Sequence, residues 1–180
     1  MDEVSYEVRK THLIDFSISN IKNSEEIKKT LKIQRFMTPL VFLFFTLLIG
    51  SSRNEVTKWL IIFGAVYVSW VIIYPVWYMW SVKRNVNKNI NKISDKEVVG
   101  NCKLIIESDG LLEESNSREH KTRWKYIVRL VETKDYIFIY NAENSAYVVP
   151  IKAFENESDK NDYLNKLKNY TKREIEAWEQ

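Results

Sequence analysis

Residues 59–82 form a stretch of 24 residues without one charged side chain, and this stretch constrains the fold most. As an α-helix it is about 36 Å long, enough to cross the hydrocarbon core of a bilayer. It is apolar all round, and Trp59 at one end and Trp77 and Trp80 at the other match interfacial aromatic belts. The stretch therefore predicts a transmembrane helix, with a buried core helix of a soluble bundle as the alternative.

A second uncharged stretch of 15 residues covers residues 36–50. Extending it to 33–52 gives the roughly 20 residues that a span requires and includes Arg35, whose long side chain can reach the interface. The loop at 51–58 is short enough only for an antiparallel helical hairpin. We therefore predict a hairpin over residues 36–82, with spans at about 33–52 and 59–82.

Basic residues flank the predicted hairpin unequally, with two in its loop and ten beside its outer ends. The ten are Lys22, Lys28, Lys29, Lys32 and Arg35 before the first span, and Lys83, Arg84, Lys88, Lys92 and Lys96 after the second. Because positive charge is retained on the cytoplasmic side, both termini are expected in the cytoplasm and the loop outside. The N-terminal residues contain no apolar core of a cleavable signal peptide.

Residues 1–35 are too polar to span a membrane. Apolar and polar side chains alternate from Val4 to Val8, which predicts a short half-buried strand. From Ser24 onward, acidic residues precede lysines, and Ile27 and Leu31 share one face, so an amphipathic helix is expected. We expect this helix to run without a break into the first span.

Residues 83–98 follow the second span and carry Val86, Ile90 and Ile93 at helical spacing with lysines between them. This pattern predicts a basic juxtamembrane helix. Its apolar stripe either lies on anionic headgroups or belongs to a helical stalk that only follows the positive-inside bias. The candidate headgroup contacts are Lys83, Arg84, Lys88 and Lys92.

From residue 99 the apolar period changes to two, and short strands follow at intervals of about ten residues. They are expected at 103–107, 111–115, 120–124, 127–131, 136–140 and 146–150, with a tight hairpin at Asp109-Gly110. After Ser158, a plausible N-cap, Leu164, Leu167, Ile175 and Trp178 recur at helical spacing. The pattern predicts an α+β domain: a β meander, as in a sandwich or barrel, closed by a C-terminal helix.

Several positions of this region resemble the YcxB-like family. They are Gly100, Asp109, Gly110, Trp124, Tyr147, Pro150 and Phe154, with the runs 136–140 and 146–154 around them. The resemblance implies a bacterial cell-membrane protein with a two-span hairpin and a cytoplasmic domain, residues 99–180, akin to pleckstrin-homology (PH)-like modules. It implies no settled activity, although related small membrane proteins include self-immunity factors against leaderless bacteriocins.

The chemistry expected of an enzyme is missing from the sequence. None of the common nucleophile, phosphate-binding or zinc-binding motifs occurs, and Cys102 with His12 and His120 has no metal-ligand spacing. We therefore expect no catalytic residue, cofactor or metal. Nucleic acid is also not expected, since residues 99–180 carry 13 basic and 15 acidic groups despite the net charge of +3.

One basic stripe is a candidate binding site. On the predicted strand, Lys121, Arg123 and Lys125 share a face that anionic lipid headgroups or a protein partner can contact. The alternative is a solvated face balanced by Glu113, Glu114 and Glu119. The leading functional hypothesis is a non-enzymatic, membrane-anchored module that binds protein or lipid. Self-immunity against a membrane-active bacteriocin is the alternative, and the oligomeric state stays open.

Overall fold

The computed structural model describes residues 2–52, 56–92, 100–115 and 118–178. In chain order the elements are β1 (Glu3–Val8), α1 (Lys10–Asn23), α2 (Glu25–Met37), α3 (Leu40–Ser52), α4 (Val56–Ile90), β2 (Gly100–Ile106), β3 (Gly110–Ser115), β4 (Arg118–Arg123), β5 (Arg129–Glu132), β6 (Tyr136–Ala142), β7 (Ser145–Pro150), α5 (Glu157–Thr171) and β8 (Ile175–Ala177). The chain divides into a helical unit, residues 21–87, and a β unit, residues 1–20 with 88–180. Parts of three predicted segments, at 53–55, 93–98 and 116–117, lie outside the described residues.

Two helical stretches of the described residues are long and apolar enough, by length and composition, to cross a membrane: Glu25–Gly50 and Val56–Ile90. Ser24 caps α2 as its side chain accepts a hydrogen bond from the Ile27 amide at 3.5 Å. The expected unbroken helix is interrupted by a turn at residues 38–39, because Pro39 has no N–H to continue the backbone ladder.

The second long helix, α4, continues through Pro75 to Ile90 and so includes the first half of the predicted juxtamembrane helix. Val86 is half-buried and Ile90 is buried within the protein. A buried Ile90 favours the stalk over a helix whose apolar stripe lies on headgroups.

Two four-stranded sheets build the β unit, in the orders β1-β2-β3-β4 and β7-β6-β5-β8. All neighbours are antiparallel except β8, which runs parallel to β5. Strand β1 pairs with β2, placing Val4 opposite Leu104, so the predicted N-terminal strand joins the sheet of the C-terminal region. Neither sheet closes into a barrel among the described residues.

The two sheets share one hydrophobic core with helix α5. Leu104 from the first sheet, Ile139 from the second and Leu167 from α5 are fully buried in it. Burial of each such side chain stabilises the fold by about 1.5–3 kcal/mol. The predicted α+β domain with a helix packed on the strands is therefore confirmed.

Helix α1, which the sequence analysis did not predict, packs on the other face of the second sheet. Its Phe16 ring lies 5.3 Å from that of Phe138, centroid to centroid. The Tyr136 hydroxyl donates to Asp15 Oδ2 at 2.7 Å, and the Tyr140 hydroxyl donates to Asn20 Oδ1 at 3.3 Å. Both faces of the second sheet are thus covered.

The C-terminal helix differs from its prediction at both ends. Its N-cap is Asn156, whose side chain accepts from the Asp159 amide at 2.9 Å, and not Ser158. It ends at Lys172, whose φ of 56° is left-handed and incompatible with further helix. Ile175 and Trp178 therefore lie beyond the helix, and the Trp178 amide donates to the Glu132 carbonyl at 2.9 Å beside β8.

The predicted hairpin at Asp109-Gly110 is present, and the Glu107 amide donates to the Gly110 carbonyl at 2.9 Å. Gly110 does not have the positive φ that usually explains glycine in a hairpin. A Cβ at Gly110 would instead lie 2.5 Å from the Thr122 carbonyl oxygen. Glycine is required here because β3 and β4 approach closely.

Candidate binding surface

The structure places two members of the predicted basic stripe together on β4. Lys121 and Arg123 are exposed on the outer face of the strand, whereas Thr122 between them is buried. The hydroxyl oxygens of Thr122 and Tyr147 are 2.7 Å apart in a hydrogen bond. The expected alternation of inner and outer positions is therefore correct as far as Arg123.

Lys125 lies beyond the strand, because β4 ends at Arg123 and a 3-10 turn spans Trp124–Tyr126. The Ile127 amide donates to the Trp124 carbonyl at 3.0 Å and closes the turn. Lys125 is exposed on the turn, and its ammonium nitrogen lies 4.8 Å from the centroid of the Tyr126 ring. The alternation of side chains between the two faces of a strand does not continue through such a turn, so it does not determine the direction of Lys125.

Lys121 is neutralised by two carboxylates of the β2–β3 hairpin. Its Nζ lies 2.6 Å from Asp109 Oδ1 and 2.5 Å from Glu107 Oε2. Hydrogen bonds to Asp109 and Glu107 raise the pKa of Lys121, and Lys121 in turn lowers the pKa of Asp109. The predicted acidic partners, Glu113, Glu114 and Glu119, are thus not the groups that balance Lys121.

Arg123 and Lys125 form no ion pair within the part of the chain that the structure describes. Next to them, Tyr126, Val128 and Tyr170 are 55%, 46% and 45% exposed. Among the described large apolar side chains of the β unit, these three are the exposed ones. We call Arg123, Lys125, Tyr126, Val128 and Tyr170 the basic–aromatic surface.

Trp124 connects Tyr170 to the 3-10 turn that carries Lys125 and Tyr126. Its indole stacks on the Tyr170 ring, with centroids 5.1 Å apart and an interplanar angle of 12°. Its Nε1 donates to the Glu107 carbonyl at 3.1 Å. The stack of Trp124 on Tyr170 joins the 3-10 turn to the end of α5 and brings together residues 46 positions apart in sequence.

A surface that combines exposed basic residues with exposed tyrosines is suited to the interface between water and an anionic, partly apolar layer. Arg and Lys keep their charges at such a boundary, while tyrosine places its ring in the apolar side and its hydroxyl in the wet side. Sequence reasoning missed Tyr126, Val128 and Tyr170. The adjacent Lys125 and Tyr126 could have indicated a mixed basic and aromatic surface from the sequence. The position of Tyr170 near them is evident only in the folded structure.

The predicted juxtamembrane cations are exposed at the end of α4 and just beyond it. Lys83, Arg84 and Lys88 lie on α4, and the Arg84 guanidinium carbon is 5.4 Å from the centroid of the Trp80 ring. Lys92 lies in the turn after the helix, where its amide donates to the Asn89 carbonyl at 3.2 Å. Their contact with headgroups stays a prediction.

The positions that carry the family resemblance have structural places in the β unit. Gly100 begins β2 opposite Val8, Asp109 and Gly110 form the first hairpin, Trp124 supports the 3-10 turn, Tyr147 bonds Thr122, Pro150 ends β7 opposite Tyr136, and Phe154 packs on Tyr163. These positions therefore lie in the strands, the turns and the hydrophobic core of the β unit.

Cys102 lies in the interior with its Sγ 3.4 Å from Glu113 Oε1, to which it donates. Burial, with the Glu113 carboxylate beside it, raises the pKa of the Cys102 thiol to about 12. A thiol with so high a pKa is a poor nucleophile at neutral pH. The described residues contain no group of three or more His, Cys, Asp or Glu side chains able to hold a metal.

Residues 106–167 match the family model described as YcxB-like protein, so the resemblance is confirmed for this region. No curated protein matches the chain. The matched region runs from the end of β2 into α5 and includes Arg123, Lys125, Tyr126 and Val128. Most of the basic–aromatic surface therefore belongs to the YcxB-like part.

Proposed function

We propose that this chain, with its YcxB-like region, is a non-enzymatic membrane protein whose β unit binds the anionic surface of the membrane that anchors it. The observation that carries the proposal is the basic–aromatic surface, where Arg123 and Lys125, unpaired among the described residues, adjoin exposed Tyr126 and Tyr170. Its composition suits lipid phosphates at an interface better than a free surface in water.

Anchoring is supported by the outward faces of the long helices. Phe42, Ile72 and Val76 are 60%, 65% and 72% exposed, and contiguous apolar surface of this kind marks a membrane or a large interface. The ten basic residues outside the hairpin against two in its loop support cytoplasmic termini.

The proposal includes a PH-like fold for the β unit. Two mostly antiparallel sheets around one core, with α5 following the last strand of the meander, support it. The match over residues 106–167 covers this meander and most of the helix.

A weak contact is enough for such a module. Each basic side chain contributes ~1 kcal/mol near an anionic surface, so Arg123 and Lys125 together strengthen binding about 30-fold. The β unit belongs to the same chain as the two long helical stretches, so in this proposal the spans tether it to the bilayer. Tethering replaces much of the affinity that a free domain requires.

The test uses the full-length protein in nanodiscs, because an isolated 99–180 fragment would lack β1 and expose the edge of β2. Hydrogen exchange over residues 118–130 is measured in discs containing phosphatidylcholine alone or with phosphatidylglycerol. We expect slower exchange in the anionic discs. The double charge reversal Arg123→Glu and Lys125→Glu abolishes this difference.

The matched control reverses Lys134 and Lys152, which are also exposed and form no ion pair among the described residues. This control keeps the lipid-dependent slowing, because it changes the net charge equally but leaves the basic–aromatic surface intact. Equal exchange in both discs for the unmodified protein overturns the proposal. A further measurement is made in native membranes. If hydrogen exchange is slowed there but in neither type of nanodisc, the surface binds a protein partner instead.

A further inference from the structure

Pro75 lies inside α4 and leaves one backbone carbonyl of that helix without its usual partner. In an α-helix, the N–H of residue 75 would bond the carbonyl of residue 71, and proline has no N–H. The freed acceptor is the carbonyl oxygen of Val71. In an apolar environment such a group requires another donor.

The structure supplies that donor from the other long helical stretch. Arg35 Nε, in the last turn of α2, donates to the Val71 carbonyl oxygen at 2.9 Å. One residue earlier in α2, the Gln34 side chain accepts a hydrogen bond from the hydroxyl of Tyr74 in α4. Tyr74 is buried and stacks on Trp70, with ring centroids 5.0 Å apart.

We propose that Pro75 and Arg35 form a clamp between the two spans: proline frees the Val71 carbonyl, and arginine binds it. Pro75 thus does more than kink α4: it leaves the Val71 carbonyl free to accept a hydrogen bond from a cationic side chain. The clamp fixes the register of α2 against α4. This proposal goes beyond membrane-surface binding, because it concerns the spans and does not depend on lipid charge.

Arg35 is better suited to this role than an interfacial lysine would be. Its guanidinium carries five N–H donors in a rigid plane, so Nε can bind Val71 while the terminal nitrogens face other groups. Its carbon also lies 5.3 Å from the centroid of the Phe36 ring, which restricts the side chain further. A side chain that merely reached toward water would not hold a carbonyl of the neighbouring helix.

The test is a double-mutant cycle on the full-length protein in detergent micelles, read as the apparent melting temperature. We expect Arg35→Gln to lower this temperature by ~3 °C when Pro75 is present. In the Pro75→Ala background the loss is less than half as large, because the backbone N–H that alanine restores then satisfies the Val71 carbonyl. Equal losses in the two backgrounds overturn the clamp.

Arg84→Gln is the matched control, since Arg84 contacts an aromatic ring of its own helix and no carbonyl of another helix among the described residues. Its effect is expected to be the same with Pro75 and in the Pro75→Ala background. Arg35→Lys provides a test that does not require the proline variant. Lysine retains a donor and a charge and recovers part of the Arg35→Gln loss, whereas no recovery contradicts the proposal.

Discussion

The two units of this chain use apolar residues in opposite ways. In the helical unit, Ile72 and Val76 are among the most exposed apolar side chains. In the β unit, Leu130 and Ile139 are completely buried. The composition of the whole chain, 45% hydrophobic, averages these regions and resembles a soluble protein. This difference fits the surroundings proposed for each unit: apolar side chains face outward where the surroundings are lipid and inward where they are water. Four predictions test the contrast.

The largest expected effect is loss of a core side chain of the β unit. Leu130→Ala leaves a cavity between the sheets and lowers the free energy of unfolding by about 3 kcal/mol. Ile72→Ala, on the exposed face of α4, changes it by less than about 0.5 kcal/mol. Denaturant unfolding of the full-length protein in nanodiscs, followed by hydrogen exchange in each unit, measures both. A larger loss at Ile72 would mean that this face packs on protein.

A pair of glycines sharpens the contrast at the level of the backbone. Gly110→Ala forces a Cβ against the Thr122 carbonyl oxygen and costs roughly 2 kcal/mol, because the β3–β4 pairing must shift. Nothing lies within 4 Å of a Cβ at Gly64, so Gly64→Ala leaves stability unchanged or raises it by up to ~1 kcal/mol. The melting temperatures of the two variants compare them directly, and equal shifts would argue against close strand approach at Gly110.

The buried thiol gives the β unit a dependence on alkaline pH. The pKa of Cys102 is about 12 in the folded state and about 8.5 in the unfolded chain. The unfolded state therefore releases its proton first, and stability falls as pH rises from about 9 toward 12. Cys102→Ala should flatten this part of the stability curve, as followed by denaturant titration at several pH values. Rapid alkylation of folded Cys102 at pH 8 would show that the thiol is not protected.

The smallest effect is expected on the outer face of β4. Lys121→Gln removes its contacts with Glu107 and Asp109 and slightly lowers stability at low salt. Arg123 forms no ion pair among the described residues and attracts Asp109 only at longer range, so Arg123→Gln lowers stability less. The Lys121 effect disappears in high salt because exposed charges are screened. Melting curves at low and high ionic strength measure it, and a salt-independent loss would point to packing by the Lys121 stem.

The elements with strong periodicity were predicted, while those decided by tertiary contacts were not. The alternating pattern of β1 and the meander indicated strands, and the uncharged stretches indicated the long helices. Helix α1 was not predicted because the face it packs on the sheet mixes polar Asp15 and Asn20, bonded to Tyr136 and Tyr140, with apolar Phe16.

The candidate surface was predicted in part for a related reason. Arg123 and Lys125 were selected on the assumption that one strand carries both, and the 3-10 turn at Trp124 brings Lys125 beside Tyr126 instead. Tyr170 joins the surface only through its stack on Trp124. No local pattern reports a contact between a turn and the end of a distant helix.

If the two long helices insert as the proposed membrane hairpin, the pairing of β1 with β2 makes completion of the first sheet depend on that insertion. Strand β1 leaves the ribosome about 90 residues before β2, so its partner becomes available only after both long helices have been synthesised. If a single helix were inserted, β1 and β2 would lie on opposite sides of the bilayer and the sheet would stay incomplete. On the proposed topology, a complete first sheet thus indicates that both helices have been inserted, and a β2 edge left unpaired would expose the chain to proteolysis.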